Sequence, residues 1–243
     1  MKFDWPENLE TLALFLDIDG TLVPIAVDPW SAQPSPALPG LLTRAASRLD
    51  GALGIVSGRE LHSIEHVTSG AIHYLAGGHG AEFRLGEHQP VQQAEPHPEI
   101  GGLQVELRPL LERWPALLLE VKRAGIAVHY RQAPHLAGEV REAMAAVLAS
   151  QSRIGLALLQ GDHVLEIRSP SHNKGTAVRR LMEEAPFRGR RPIFIGDDIS
   201  DEEAFAVVQE MGGTAVIVGD RRPTLATRDL ASPDDVLRLL AEL

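Results

Sequence analysis

Cysteine is absent from this chain of 243 residues, and its absence removes several chemistries at once. A disulfide framework, a zinc-thiolate cluster and a thiol nucleophile are all excluded, so a reactive centre here must be built from oxygen and nitrogen groups. Long apolar runs are missing too. Nothing approaches the ~18 consecutive apolar residues of a membrane-spanning helix, and Met1-Lys2-Phe3-Asp4-Trp5-Pro6 lacks the apolar centre of a secretory leader. The expectation is a soluble, cytoplasmic protein with no membrane partner. Positive charge is in deficit: with a formal net charge of −10 the surface is unsuited to displacing counterions from a duplex, which excludes nucleic acid as a partner. Repeats and low-complexity tracts are absent as well.

What remains is rhythm. Short apolar runs alternate with helical patterns: Leu12 to Leu16, a helix near Pro39 to Leu49, Ala52 to Val56, a helix from Arg59, then Ile72 to Ala76. The rhythm returns with a helix from Lys174, a strand at Ile193 to Ile195, a helix from Glu202, a strand at Thr214 to Val218 and a last helix after Pro233. Repeated βα units predict an α/β fold with a doubly wound parallel sheet built from both ends of the chain. The length exceeds the ~100 to 200 residues of a typical domain, and the texture changes in the middle. A proline- and glutamine-bearing stretch, 89–98, leads to a helix-like segment ending at Arg113, strands at Leu117 to Val121 and Ala127 to Tyr130, and a helix near Leu136 to Ala149. Two strands follow, joined by Gln160-Gly161-Asp162-His163 as a hairpin turn. We therefore expect a core of residues 1–98 and 169–243 with a small α+β insert at 99–168.

Four segments carry chemistry. Phe15-Leu16-Asp17-Ile18-Asp19-Gly20-Thr21 places two acids at the end of an apolar strand, where open α/β sheets bind ligands. On a strand, residues two apart face the same way, and such like charges are tolerable beside a divalent cation or when one carries a proton. Thr21 offers a hydroxyl and an amide to an anion. Ile55-Val56-Ser57-Gly58-Arg59 ends a buried strand just before a helix, where Ser57 either caps the helix or holds a phosphate oxygen. Lys174 opens the helix that returns the chain to the core, and a lysine there can neutralise charge on a transferring phosphoryl group. Gly196-Asp197-Asp198-Ile199-Ser200-Asp201 repeats the opening theme with hard oxygen ligands suited to magnesium, one of Asp198 and Asp201 being free to cap the helix that follows.

The order Asp-x-Asp-Gly-Thr, Ser-Gly-Arg, Lys, Gly-Asp-Asp-x-x-Asp resembles the haloacid dehalogenase superfamily of aspartate-nucleophile phosphatases. Within it the chain is similar to the bacterial trehalose-6-phosphate phosphatases from about Leu12 to Gly219. The similarity rests also on Gly77-Gly78-His79-Gly80-Ala81-Glu82, Glu120-Val121-Lys122, His129-Tyr130-Arg131 and Val164-Leu165-Glu166-Ile167. The resemblance implies a Rossmann-type core with an α/β cap formed by the insert, and hydrolysis of trehalose 6-phosphate in trehalose biosynthesis. It implies Asp17 as nucleophile forming an aspartyl phosphate, and Asp19 as general acid and base. Magnesium (Mg2+) would be held by the Asp17 side chain, the Asp19 carbonyl and Asp197, with Asp198 or Asp201 behind them. Phosphate would be bound by Thr21, Ser57 and Lys174, and the sugar by Glu120, Lys122, His129, Arg131 and Glu166, with Arg59 and His79 as lesser contributors.

Ser200 departs from the threonine common in that family, and His172 and Asn173 receive no role. Another sugar-phosphate phosphatase, acting on sucrose phosphate or a mannosyl phosphate, shares the core motifs. A non-catalytic receiver-like signalling domain is the more remote alternative. The expected partner is a small-molecule sugar phosphate; a monomer is favoured over an oligomer, although no residue pattern fixes the oligomeric state.

Overall fold

The structure is a computed structural model that describes residues 3–25, 33–150 and 155–243. Met1 and Lys2, where the reading for a leader began, lie outside them. In chain order the described elements are β1 Leu12–Leu16, α1 Leu38–Arg48, β2 Leu53–Val56, α2 Leu61–Thr68, β3 Tyr74–Gly77, β4 Glu82–Leu85, β5 Gln92–Gln93, α3 Ile100–Arg113, β6 Leu118–Lys122, β7 Gly125–His129, α4 Ala137–Ala149, β8 Ala157–Gly161, β9 Val164–Arg168, α5 Lys174–Met182, β10 Arg191–Gly196, α6 Glu202–Glu210, β11 Thr214–Val218, β12 Arg228–Leu230 and α7 Pro233–Ala241. The chain divides into two compact units, Met1–Gln93 with Asn173–Leu243, and Ala94–His172.

The first unit holds an eight-stranded sheet in the order β12-β11-β10-β1-β2-β3-β4-β5. Six strands run parallel, and β4 and β5 extend the edge in antiparallel fashion. The expected parallel sheet is met in those six strands, and the antiparallel pair is an addition that the sequence did not show. These two strands are too short to show as apolar runs, and β4 returns by a turn too short for a crossover helix. Alternation along the central strands builds a core on each face. Leu12, Leu14 and Leu16 pack with α1, α2 and α7, whereas Ala13 and Phe15 turn to the other side with α5 and α6. There Phe15 stacks on Phe187, with ring centroids 5.1 Å apart.

Because β1 lies between β10 and β2, the chain leaves it toward opposite sides of the sheet, and a crevice forms beyond its carboxyl end. That crevice receives the ends of β1, β2 and β10 and the start of α5. The helix expected from Arg59 begins two residues later, at Leu61. Glu60 is extended (φ −69°, ψ 154°), which leaves Arg59 in the turn.

The second unit is a four-stranded antiparallel sheet, β6-β7-β9-β8. Ile126, Val128, Leu165 and Ile167 pack on α3 and α4 and form its core. Its bounds run a few residues beyond 99–168 at both ends. The turn between β8 and β9 is Asp162-His163, tighter than the four residues read from sequence, and His163 takes the left-handed conformation (φ 55°).

Candidate active site

Strand β1 stops at Leu16, and the chain then coils around Ile18, whose carbonyl accepts the amides of Thr21, Leu22 and Val23. Asp17 and Asp19 therefore do not share a strand face as the spacing predicts, because the strand ends before either acid. Asp17 is 4% exposed, and its Oδ1 lies 2.9 Å from Lys174 Nζ. Asp19 turns outward to Arg59, which holds both its oxygens, Nε to Oδ2 at 2.7 Å and Nη2 to Oδ1 at 2.6 Å. Arg59, expected as a lesser contributor, is thus fixed on the second acid.

Lys174 is the first residue of α5. The preceding Asn173, given no role from sequence, caps the helix: its side chain accepts the Thr176 amide at 2.8 Å while Thr176 Oγ1 accepts the Asn173 amide at 3.2 Å. The lysine is 2% exposed and also donates to Asp201 Oδ1 at 2.6 Å. Burial pulls its pKa down, but the carboxylates of Asp17 and Asp201 outweigh burial and hold it well above the ordinary lysine value.

Asp201 is wholly buried. Its Oδ2 accepts the amides of Asp197 and Asp198, each at 2.9 Å. Gly196 has to be a glycine for this fold of the loop, since a Cβ there would lie 2.3 Å from Asp201 Cγ. Asp197 faces the β1 loop, where Thr21 Oγ1 donates to its Oδ1 at 3.4 Å. Gly20 makes that approach possible. Its φ of 77° suits glycine, and a Cβ would lie 2.0 Å from Asp197 Oδ2.

Asp17, Asp197 and Asp201 each bring a carboxylate oxygen within 4.8 Å of the others, while a single lysine contacts two of the three. Burial raises the Asp17 pKa to about 7, with Asp201 and Asp19 adding to the rise and Lys174 opposing it. Burial and then the Asp17 and Asp201 charges push Asp197 up to about 9. Carboxylates so crowded fit a divalent cation, which supplies the missing positive charge through hard oxygen ligands. Both Asp201 oxygens already accept hydrogen bonds, Oδ1 from Lys174 and Oδ2 from the Asp197 and Asp198 amides.

Ser57 is buried at the end of β2. Its Oγ accepts the Arg59 amide at 3.3 Å, and its carbonyl accepts the His79 amide at 2.9 Å. His79 is buried in a left-handed conformation (φ 58°), with its ring against Gly58. Glu82 has a task that sequence did not assign: it caps α2 by accepting the Leu61 amide at 2.8 Å.

In the second unit, pairing aligns Glu120, Ala127 and Glu166 across β6, β7 and β9, with Lys122, Gly125 and Arg168 in the neighbouring row. Lys122 Nζ reaches Glu166 Oε1 at 3.1 Å and Glu120 Oε2 at 3.7 Å, and His129 Nε2 lies 2.8 Å from Glu120 Oε2. Burial raises the Glu120 pKa, but Lys122 and His129 outweigh it and the net shift is downward. For Lys122 burial is outweighed by Glu166 and Glu120, and the shift is upward. Arg168, which sequence reasoning missed, has Nε 3.4 Å from Glu166 Oε2; its place two residues after Glu166 on one strand was the signal. Arg131 pairs instead with Asp162 of the hairpin at 2.8 Å.

The family described as Trehalose-phosphatase matches residues 15–234 of this chain. A probable trehalose-phosphate phosphatase of Sinorhizobium fredii is 38% identical over 216 residues, which cover 89% of this chain and 81% of that one. Trehalose-6-phosphate phosphatase of Escherichia coli is 35% identical over 232 residues, covering 94% and 85%. Among solved structures, the C-terminal domain of C. albicans trehalose-6-phosphate phosphatase superposes with a TM-score of 0.84 at 23% identity, covering 96% of this chain and 91% of that one, a likeness of fold. Among the described residues, no helix is long and apolar enough to cross a membrane.

Proposed function

The chain belongs to the trehalose-phosphatase family, and we propose that it hydrolyses trehalose 6-phosphate to trehalose and phosphate with Asp17 as nucleophile and magnesium as cofactor. One observation carries the reading: Lys174 bridges Asp17 and Asp201 at 2.9 and 2.6 Å, and the same acids crowd Asp197. Segments distant in sequence thus meet at one buried anionic point.

Asp17 attacks phosphorus, the bond from phosphorus to the sugar oxygen breaks, and the phosphoryl group moves to the carboxylate. Asp19 gives a proton to the departing oxygen, then takes one from the water that releases phosphate. Arg59 occupies both Asp19 oxygens, so it releases one before that acid carries a proton. Ser57, Thr21 and Lys174 face the phosphoryl oxygens. Magnesium would be held by Asp17, Asp197 and the Asp19 carbonyl; when bound it screens the negative charge of nucleophile and phosphate from each other. In the second unit, read as a cap, Glu120, Lys122, His129 and Glu166 offer paired donors and acceptors to sugar hydroxyls, with Arg131 at the hairpin.

A phosphate-release panel across trehalose 6-phosphate, sucrose 6-phosphate, mannosyl phosphate and glucose 6-phosphate, with magnesium or with chelator, tests this reading. We expect strong preference for trehalose 6-phosphate and no release with chelator. Comparable turnover of glucose 6-phosphate removes the substrate assignment.

A further inference from the structure

The loop after β11 carries Arg221. Its Nε donates to the Asp197 carbonyl at 3.0 Å and its Nη2 to the Asp198 carbonyl at 3.2 Å. The same Nη2 pairs with Glu202 at the start of α6, and Nη1 donates to the Pro223 carbonyl at 3.1 Å. Glu202 Oε2 in turn accepts the Leu225 amide at 2.7 Å, which ties the arginine's own loop to α6. From the opposite side, Asp201 takes the amides of Asp197 and Asp198.

The peptide that joins Asp197 to Asp198 is therefore gripped at both ends, its N–H by a carboxylate and its carbonyl by a guanidinium. Turning that peptide would swing the Asp197 side chain away from Asp17, so the two grips together fix where the Asp197 oxygens stand. We propose that Arg221 is a positioning residue for the divalent cation, acting through the Asp197–Asp198 backbone; this rests on the metal reading above. Groups that hold a ligand in place matter to affinity nearly as much as the ligand, typically ~10- to 100-fold. The role needs the planar fork: a lysine ammonium is a point donor that cannot span two carbonyls and the Glu202 carboxylate together.

The test uses metal-free wild type, Arg221→Met and Arg221→Lys, with Mn2+ as the probe, its binding followed by electron paramagnetic resonance and the metal-free thermal midpoint recorded alongside. We expect Arg221→Met to bind Mn2+ about tenfold more weakly, with Arg221→Lys recovering part of the loss. A merely structural role lowers the midpoint and leaves the dissociation constant of the folded protein at its wild-type value, and that result overturns the proposal. Where Arg221→Met fails to fold, the dissociation constant of Arg221→Lys decides in the same way. Wild type that binds no Mn2+ brings down the metal reading and this inference with it, whereas binding in wild type with equal affinity in the variants brings down the inference alone.

Discussion

At the scale of single residues, the site is a matter of which atoms are permitted to approach. Gly20 is the sharpest case, because a methyl group there meets Asp197 Oδ2 at 2.0 Å and the backbone is already left-handed. Gly20→Ala costs about 1–2 kcal/mol in backbone strain alone, and it displaces a carboxylate that must stand beside Asp17. We expect phosphate release to fall about 10²-fold, the scale of a roughly 1 Å misplacement, in protein with wild-type circular dichroism. Wild-type rates in that variant would show that Asp197 has no need of its position. Asp17→Asn retains shape but loses the carboxylate proposed as nucleophile. It should fold and release no phosphate, and measurable turnover would remove Asp17 from the role. The acids and Lys174 were legible in the sequence because each follows an apolar run or opens a helix. Arg221 was not, since it sits in a loop without periodicity and acts on backbone carbonyls, which any residue type supplies.

At the scale of elements, the central strands and nearly all the helices could be read from apolar runs, since burial on both faces leaves a continuous apolar signal. Strands β4, β5 and β12 could not, because strands at or next to a sheet edge are two to four residues long here and carry polar residues that break any apolar run. The sheet of the second unit adds a requirement that pattern alone hides. Lys122 on β6 reaches Glu166 on β9 diagonally over β7, and β7 presents the small residues Gly125 and Ala127 beneath that crossing, with His129 next along the same face. Ala127 is fully buried, so a larger side chain there lifts the charged groups from their places. Ala127→Val should raise KM for trehalose 6-phosphate about tenfold, the equivalent of one hydrogen bond of ~1.4 kcal/mol, and leave turnover of p-nitrophenyl phosphate unchanged. Equal losses on both substrates would mean that this face does not read the sugar.

At the scale of the whole molecule, the two units place opposite demands on pH. In the first, Asp17 and Asp197 keep their protons up to about 7 and about 9, far above the 3.8 they have when unfolded. Between those values the native state binds more protons than the unfolded one, so stability falls as pH rises. In the second, the Glu120 pKa lies below its ordinary value; its contribution is full above about 4.5 and is lost as pH falls through the lowered pKa. Metal-free protein should therefore lose thermal stability from pH 5 to pH 8.5, with the loss arising in the first unit. A magnesium ion held as proposed would replace the protons on Asp17 and Asp197, and because protons would compete for the same oxygens, its stabilisation would grow with pH. Thermal scans at pH 5, 7 and 8.5, with chelator or with magnesium, should show midpoints that fall with pH in chelator and a magnesium-induced rise that is largest at pH 8.5. A rise of equal size at every pH, or a metal-free midpoint that climbs between pH 5 and 8.5, would mean that the crowded carboxylates do not hold their protons against unfolding, and that the cation is bound elsewhere.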